Sequence, residues 1–234
     1  MTSSVASGEI LPDVRALTAG LASHGLIPRG GFDFGIDDDA PPGPFGAAAR
    51  SVMLVGQAGA APWPHFERWR LERPADLANP LDTWSREVID AVAKEAGARA
   101  VYPSDRPYLP FQRWAMRAEG LKPSPLGILM HPEYGLWHAY RGALLFERAI
   151  VVDPVHEAIH LCDLCVGKPC IKACPVDAYD AAGFRYEACL AHVRGNEGGA
   201  CRTGGCLDRN ACPYGVAYRY PPQVQAFHMK AFAR

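Results

Sequence analysis

The distribution of cysteine constrains this chain more than any other feature of its sequence. All eight cysteines lie between Cys162 and Cys212, and residues 1–161 contain none. Eight thiols make up about 16% of that segment, a density typical of chains held together by metal or by disulfides. The sequence therefore predicts a metal- or disulfide-stabilised module in its final third, preceded by a longer segment without thiols.

The composition is that of an ordinary globular chain. Of the 234 residues, 49% are hydrophobic and 21% are charged, and the formal net charge is -1. These values exclude a disordered tail, a collagen-like fibre and a strongly basic nucleic-acid binder. The length suits one domain of moderate size with a small attachment.

The first residues carry no sign of a secretory signal. They lack a positively charged segment and an apolar stretch, and the acidic Glu9 and Asp13 come early. No run in the sequence approaches the roughly 20 apolar residues needed to span a bilayer. We therefore expect a soluble, cytoplasmic protein with no membrane partner. In that reducing compartment, clustered thiols hold metal more often than they form disulfides.

Apolar periodicity predicts alternating helices and strands in the cysteine-free segment. Helices are predicted over residues 11–26, 81–96 and 111–120, with Gly97 and Gly120 placed to end the last two. Strands are predicted at residues 51–55, 101–102, 126–130 and 143–152, the first inside a Gly- and Pro-rich loop over residues 29–62. No glycine-rich nucleotide motif opens any of these helices.

This pattern predicts an α+β protein in three parts. A first domain would cover residues 1–155, a cysteine module residues 156–215 and a tail residues 216–234. The tail is rich in aromatic and basic residues and has no acidic residue. We expect its aromatic rings to pack back on the first domain, the alternative being a docking surface for an acidic partner or a nucleic acid.

The cysteine spacing is close to that of bacterial ferredoxins. Cys162, Cys165, Cys170 and Cys174-Pro175 follow the run C-x2-C-x2-C-x3-C-P, except that the middle gap is four residues instead of two. In such runs the three leading thiolates bind one [4Fe-4S] cluster, and the cysteine before proline serves the other cluster. A second Cys-Pro step occurs at Cys212.

Eight thiols are enough for two [4Fe-4S] clusters with none left over. The first cluster is predicted to bind Cys162, Cys165, Cys170 and Cys212. The second is predicted to bind Cys174, Cys189, Cys201 and Cys206.

Zinc and disulfides are the alternatives. Structural zinc favours paired C-x2-C knuckles, and only Cys162 and Cys165 form such a pair. His156 and His160 could serve as zinc ligands, although a linker helix that binds nothing explains their spacing equally simply.

Two adjacent clusters form a path for electrons, and the long first segment is the natural destination. Three stretches support this reading by resemblance: Tyr186-Glu187-Ala188-Cys189-Leu190, residues 49–55 and residues 129–137. In order and pattern they resemble the cobalamin-dependent iron–sulfur reductases, the family of epoxyqueuosine reductase and the corrinoid reductive dehalogenases. The resemblance implies a nitroreductase-like α/β sandwich followed by a small two-cluster ferredoxin-like domain.

The same resemblance implies a function. We expect an oxidoreductase that delivers electrons through its clusters to a corrinoid, as a corrinoid-dependent reductase or a cobalamin-processing protein. Asp105, in Ser104-Asp105-Arg106-Pro107, is the nearest equivalent of the family's catalytic aspartate and a candidate proton donor, unless it caps a helix. The helical repeats that epoxyqueuosine reductases use for tRNA are missing, so no tRNA partner is expected.

A polar and aromatic segment between two predicted strands could line the cofactor pocket, or could simply form a rigid loop. Its members are His131, Tyr134, Trp137, His138, Tyr140 and Arg141. A flavin is a less favoured cofactor. The electron donor would be a flavodoxin, a ferredoxin or a reductase. The rival hypothesis is a ferredoxin-like electron carrier with no small-molecule turnover.

Overall fold

Helices and strands form where apolar residues recur at the spacing of each element. The computed structural model describes residues 12–150, 159–180 and 183–234. Its α-helices are α1 (Pro12–Ala22), α2 (Trp63–Leu71), α3 (Pro80–Glu95), α4 (Phe111–Glu119), α5 (Leu161–Leu164), α6 (Tyr186–Arg194), α7 (Gly199–Gly204), α8 (Leu207–Ala211) and α9 (Pro222–Phe232). Its strands are β1 (Ile27–Asp33), β2 (Ser51–Ala58), β3 (Arg99–Val101), β4 (Lys122–Pro123), β5 (Leu129–Met130), β6 (His138–Phe146), β7 (Tyr179–Asp180) and β8 (Gly183–Phe184).

The centre of the fold is a four-stranded antiparallel sheet in the order β1-β2-β6-β3. Helices cover both of its faces. One core packs α1, α2 and α3 against the sheet, with Met53 and Leu144 among the buried strand residues. The other core packs α4 against Val52 and Leu54. Because both faces are covered, the apolar run that begins at residue 51 is buried throughout, as in the centre of a three-layer sandwich.

A β-bulge interrupts the pairing of β2 with β6. Val55 pairs with Gly142 but Gly56 pairs with Tyr140, so Arg141 is an extra residue on β6. A bulge shifts the alternation of side chains by one, so two residues an even number of positions apart face opposite layers of the sandwich when the bulge lies between them. The residues after the bulge continue the apolar core. The polar residues before it therefore face the other layer from the one their spacing would predict.

The predicted elements with strong periodicity are confirmed. The second and third predicted helices correspond to α3 and α4, and each is followed by a glycine with positive φ, Gly97 at 62° and Gly120 at 65°. The mixed α and β composition is confirmed as well, and the paired strands are antiparallel. In the structure the loop expected between the last two strands is shorter than predicted, because β6 already begins at His138.

The prediction of loop over residues 29–62 around a single strand is wrong. Residues Ile27–Asp33 form β1, an edge strand of the sheet, despite two consecutive glycines. Gly30 has a φ of 64°, and a Cβ there would lie 2.6 Å from the carbonyl oxygen of Ala118. The glycine that suggested a loop instead lets α4 approach the strand closely.

The cysteine-rich part is built from short helices, and α9 follows it. Phe227 on α9 packs on Trp63 and Phe66, with ring centroids 5.2 and 5.4 Å apart, and Tyr220 packs on Trp137 at 5.4 Å. These rings thus contact the sheet-and-helix layers, as expected of the tail. The domain boundaries remain a prediction. His156 lies outside the described residues, and His160 directly precedes α5. No helix in the described ranges is long and apolar enough to cross a membrane.

Candidate metal centre and adjoining polar cluster

The first predicted set of cysteines gathers beneath β5. Cys162, Cys170 and Cys212 are buried together with Met130 and Leu136. Burial raises the pKa of Cys162 to about 11, and the nearby thiols of Cys170, Cys212 and Cys165 raise it further. The four thiols are therefore close enough to influence one another, although Cys212 lies 42 residues after Cys170, the nearest of the other three in sequence.

The second predicted set lines a cavity of about 260 Å³ whose walls are mostly apolar. Burial raises the pKa of Cys189 to about 11, followed by the effects of Cys206, Cys174 and Cys201. All four of these thiols line the cavity, together with side chains such as Phe184.

The two sets remain separate in their electrostatics. Each thiol whose pKa is raised by a neighbouring thiol is affected by members of its own predicted set. All eight cysteines are free of disulfides. Within the described ranges, no three His, Cys, Asp or Glu side chains are grouped closely enough to hold a metal ion.

Asp208 is an acidic residue that the sequence did not single out. It is buried, lines the same cavity as the second set, and accepts a hydrogen bond at Oδ1 from the Ala173 backbone N–H at 3.0 Å. Its Oδ2 has no partner among the described residues. Burial raises the pKa of the Asp208 carboxyl.

A buried ion pair lies on the α4 side of the sheet. Arg29 on β1, only 2% exposed, donates from Nε to Glu119 Oε1 at 2.7 Å and from Nη2 to Oε2 at 2.9 Å. Tyr140 also donates its hydroxyl hydrogen to Glu119. This two-pronged geometry is the strong form of an arginine–carboxylate pair.

His138 is held as a neutral ring by this ion pair. Its Nδ1 accepts from Arg29 at 3.3 Å, so its proton is on Nε2, which donates to the carbonyl oxygen of Leu129 at 2.8 Å. Burial, and then the charge of Arg29, lower the pKa of His138 to about 3.

His131 is neutral for similar reasons. Its Nδ1 accepts from the backbone N–H groups of Glu133 and Tyr134, both at 3.1 Å. Its ring stacks on Tyr134 with centroids 4.0 Å apart. Burial, and then Arg29, lower the pKa of His131 to about 4. The protonated Nε2 has no acceptor among the described residues and can donate to a ligand.

The structure divides the six predicted pocket residues into two groups. His131, Tyr134, His138 and Tyr140 surround Arg29, which lies over both tyrosine rings. Trp137 instead contacts Tyr220 and Arg209. Arg141 donates from Nε to Gln57 Oε1 at 2.7 Å. Successive side chains of a strand point to opposite faces, so His138 and Tyr140 lie on the face of Arg29, whereas the neighbouring Trp137 and Arg141 do not.

Asp105 is anchored in a turn. Its Oδ2 accepts from the Tyr102 backbone N–H at 3.0 Å, and its Oδ1 accepts from Arg86. It does not cap α4, which begins at Phe111, so the alternative of a helix cap is wrong. Arg86 also lines a cavity of about 250 Å³ together with Tyr140 and Arg141, which places Asp105 beside that cavity.

Arg29 and Glu119 are the functional residues that sequence reasoning missed. They are 90 residues apart, and the sequence predicts only an ordinary surface or loop segment around each of them. A lone arginine next to glycines and a glutamate at the end of a helix carry no local signal of pairing. Only the docking of α4 on β1 brings them together.

Comparison with solved structures defines the class of fold. The mixed fold with antiparallel sheets is shared with several solved structures, at sequence identities that establish a likeness of fold alone. One is the B12-trafficking protein CblC of C. elegans, with a TM-score of 0.53 and 13% identity over 95% of this chain and 92% of that one.

Another is epoxyqueuosine reductase from Streptococcus thermophilus, with a TM-score of 0.50 and 15% identity over 76% of this chain and 53% of that one. The chain thus spans about half the length of the epoxyqueuosine reductases it matches. No family model and no curated protein matches the sequence.

Proposed function

We propose that this chain is an iron–sulfur electron-transfer protein with two [4Fe-4S] clusters that supplies electrons to a corrinoid bound by its first domain. The observation that carries the proposal is the sorting of eight thiols into two groups of four, each with its own electrostatic neighbourhood. The groups are those predicted from the two Cys-Pro steps. In this proposal residues 1–155 form a nitroreductase-like domain and residues 156–215 a ferredoxin-like one.

The chemistry of the two thiol groups suits clusters. Metal binding requires thiolates, and burial raises the pKa of six of these thiols, so a positively charged iron centre would stabilise what is otherwise an unfavourable set of charges. The apolar cavity of the second set offers about 260 Å³ for such a group. Bound there, a cluster would accept and release single electrons.

The corrinoid part of the proposal is supported by the shared fold and by the polar cluster around Arg29. The C. elegans structure with this fold is that of a B12-trafficking protein. On this chain, His131 keeps an Nε2–H that can donate to an amide or carboxylate of a ligand. Both ring nitrogens of His138 already form hydrogen bonds within the protein, so His138 would position the side chains around Arg29. The electron donor would be a flavodoxin, ferredoxin or reductase.

Two measurements on anaerobically purified protein test the proposal. Iron and acid-labile sulfide should each amount to about eight per chain. Addition of hydroxocobalamin should then shift the cobalamin absorption spectrum, and reduction of the protein should speed its conversion to cob(II)alamin. A zinc-only protein would overturn the iron–sulfur assignment. Intact clusters without any cobalamin response would overturn the corrinoid assignment and favour the electron carrier.

A further inference from the structure

A third cavity, of about 250 Å³, lies where α9 meets the start of α3 and the bulge of β6. Its charged lining is strongly unbalanced. Four cationic side chains, those of Arg70, Arg141, Lys230 and Arg234, face a single carboxylate, that of Asp82. None of these residues belongs to the thiol sets or to the Arg29 cluster.

Arg141 is the central residue of this cavity. Its Nε donates to Gln57 Oε1 at 2.7 Å, and Gln57 is itself fixed because its Nε2 donates to the Gly59 carbonyl oxygen at 2.8 Å. Neither Nη nitrogen of Arg141 has an acceptor among the described residues, so that side of the guanidinium fork is unused, and Arg141 lines both this cavity and the one it shares with Tyr140. Such a fork matches the two oxygens of a carboxylate or phosphate.

The remaining charges reinforce Arg141. Arg70 is held in place because its guanidinium donates to the carbonyl oxygens of Arg73, Pro74 and Ala75 at 2.6–3.1 Å, and its charge stays at the cavity wall. Asp82 forms no ion pair with Arg141 among those of the described residues. Burial lowers the pKa of Arg141, and the charge of Asp82 is among those that oppose this effect, so Asp82 offsets part of the positive charge of the site.

His228, which also lines the cavity, contributes no charge near neutral pH. Burial, and then Arg141 and Arg209, lower the pKa of His228 to about 4. A desolvated guanidinium with unused donors and further cations around it attracts anions, because charge interactions strengthen away from bulk water. The bulge is what aims the guanidinium here, since it adds Arg141 to the strand as a residue without a pairing partner.

We propose that this cavity binds a small oxyanion ligand, a carboxylate or phosphate group recognised in a two-pronged manner by Arg141, with Lys230 on α9 adding a second positive charge. The cavity contains none of the thiols. Carboxylate and phosphate share the recognising chemistry, and the size of the cavity limits the ligand to a small metabolite or the anionic end of a longer one.

Isothermal titration calorimetry on the cluster-loaded protein, in a buffer free of both anions, tests the site with two probes, inorganic phosphate and citrate. Saturable binding of at least one probe is expected, and the stronger probe identifies the anion class. Arg141→Lys, which keeps the charge but loses the fork, should weaken binding by about tenfold. Lys230→Gln, at an exposed position, should weaken it severalfold without disturbing the fold.

Two further variants distinguish specific binding in this cavity from a general attraction of anions by the net charge of the protein. Asp82→Asn removes the only opposing carboxylate of the lining and should tighten binding. Arg68→Gln is the control, since it removes one positive charge from a side chain that does not line this cavity, and it should leave binding unchanged.

Absence of saturable binding with both probes would overturn the proposal. Equal weakening by Arg68→Gln and Lys230→Gln would also overturn it, because it would show a response to net charge alone. Circular dichroism and iron content, measured for every variant, identify any that fails to fold. If Arg141→Lys fails to fold, the binding measured for Lys230→Gln and Asp82→Asn decides whether the proposal holds.

Discussion

The most consequential single contact is the pair formed by Arg29 and Glu119. Arg29 has almost no exposed surface, and both prongs of its guanidinium are used on one carboxylate. A charge buried to this degree is tolerated only while its partner is present. The same pair sets the protonation of His138, since the arginine donates to Nδ1 and repels a second proton.

Replacing Glu119 by glutamine should therefore be costly. Glu119→Gln leaves the guanidinium buried without its counter-charge, and the free energy of unfolding should fall by about 3 kcal/mol or more. Urea denaturation measures the loss. Arg117→Gln is the matched control, because it breaks an exposed pair with Asp38 of the same 2.7 Å length and should cost far less. Equal losses would contradict the role assigned to burial.

The two neutral histidines predict a particular response to acid. Their pKa values in the folded state, about 4 for His131 and about 3 for His138, lie below the value near 6.5 expected in the unfolded chain. Between these limits the unfolded chain binds more protons, so stability rises with pH and is lost as the pH falls from about 6.5 towards 4.

Unfolding free energies measured at pH 7 and pH 5 should show this loss. In His138→Asn, which keeps one donor and one acceptor, the difference between the two pH values should be smaller than in the parent protein by about 1 kcal/mol or more. Carboxylates that titrate in the same range contribute equally to both proteins. An unchanged difference would mean that His138 is not held neutral in the folded state.

At the scale of elements, one irregularity organises the site. The extra residue in β6 at Arg141 turns Tyr140 and His138 towards Arg29, while Gly142 and Leu144 face the layer of α3. Local sequence patterns predict strands, but they do not show where a bulge falls, because the bulge depends on how the neighbouring strand pairs. Among the six pocket residues, which lie between residues 131 and 141, side-chain alternation separates Trp137 and Arg141 from His138 and Tyr140.

The close approach of α4 to β1 gives a second test at this scale. Gly30→Ala places a Cβ 2.6 Å from the Ala118 carbonyl oxygen at a positive φ, whereas Gly97→Ala has nearly the same φ and nothing within 4 Å. Gly97→Ala should cost about 1–2 kcal/mol for the left-handed backbone. Gly30→Ala should cost roughly 2 kcal/mol more because of the overlap. Thermal or urea unfolding distinguishes the two, and similar losses would contradict the packing described.

For the molecule as a whole, the arrangement of thiols tests the proposed clusters. Each set draws residues from both halves of the cysteine module, since Cys212 joins the first set and Cys174 the second. Such crossed ligation ties the two halves together, so the module should gain much of its stability from iron.

Double variants distinguish crossed ligation from other pairings. Cys165→Ser with Cys212→Ser removes two ligands of one cluster and should leave about four irons per chain. Cys165→Ser with Cys206→Ser removes one ligand from each cluster and should leave far fewer. Iron and sulfide analysis after anaerobic purification provides the measurement. The reverse order of iron contents would show that Cys212 and Cys206 have exchanged sets.

The sequence by itself determined the features that repeat within a few residues. These local patterns are the apolar face of α3, the glycines that follow α3 and α4, and the cysteine spacing with its two Cys-Pro steps. The predictions of the helices and of their glycines are confirmed, and the prediction from the cysteine spacing stays a prediction. Tertiary structure decided the contacts between distant segments. These are the pairing of β1 with β2, the ion pair of Arg29 with Glu119, and the hydrogen bond of Arg141 to Gln57. The physical reason is that periodicity reports which side of an element is buried, whereas the identity of the partner depends on strand register and helix docking.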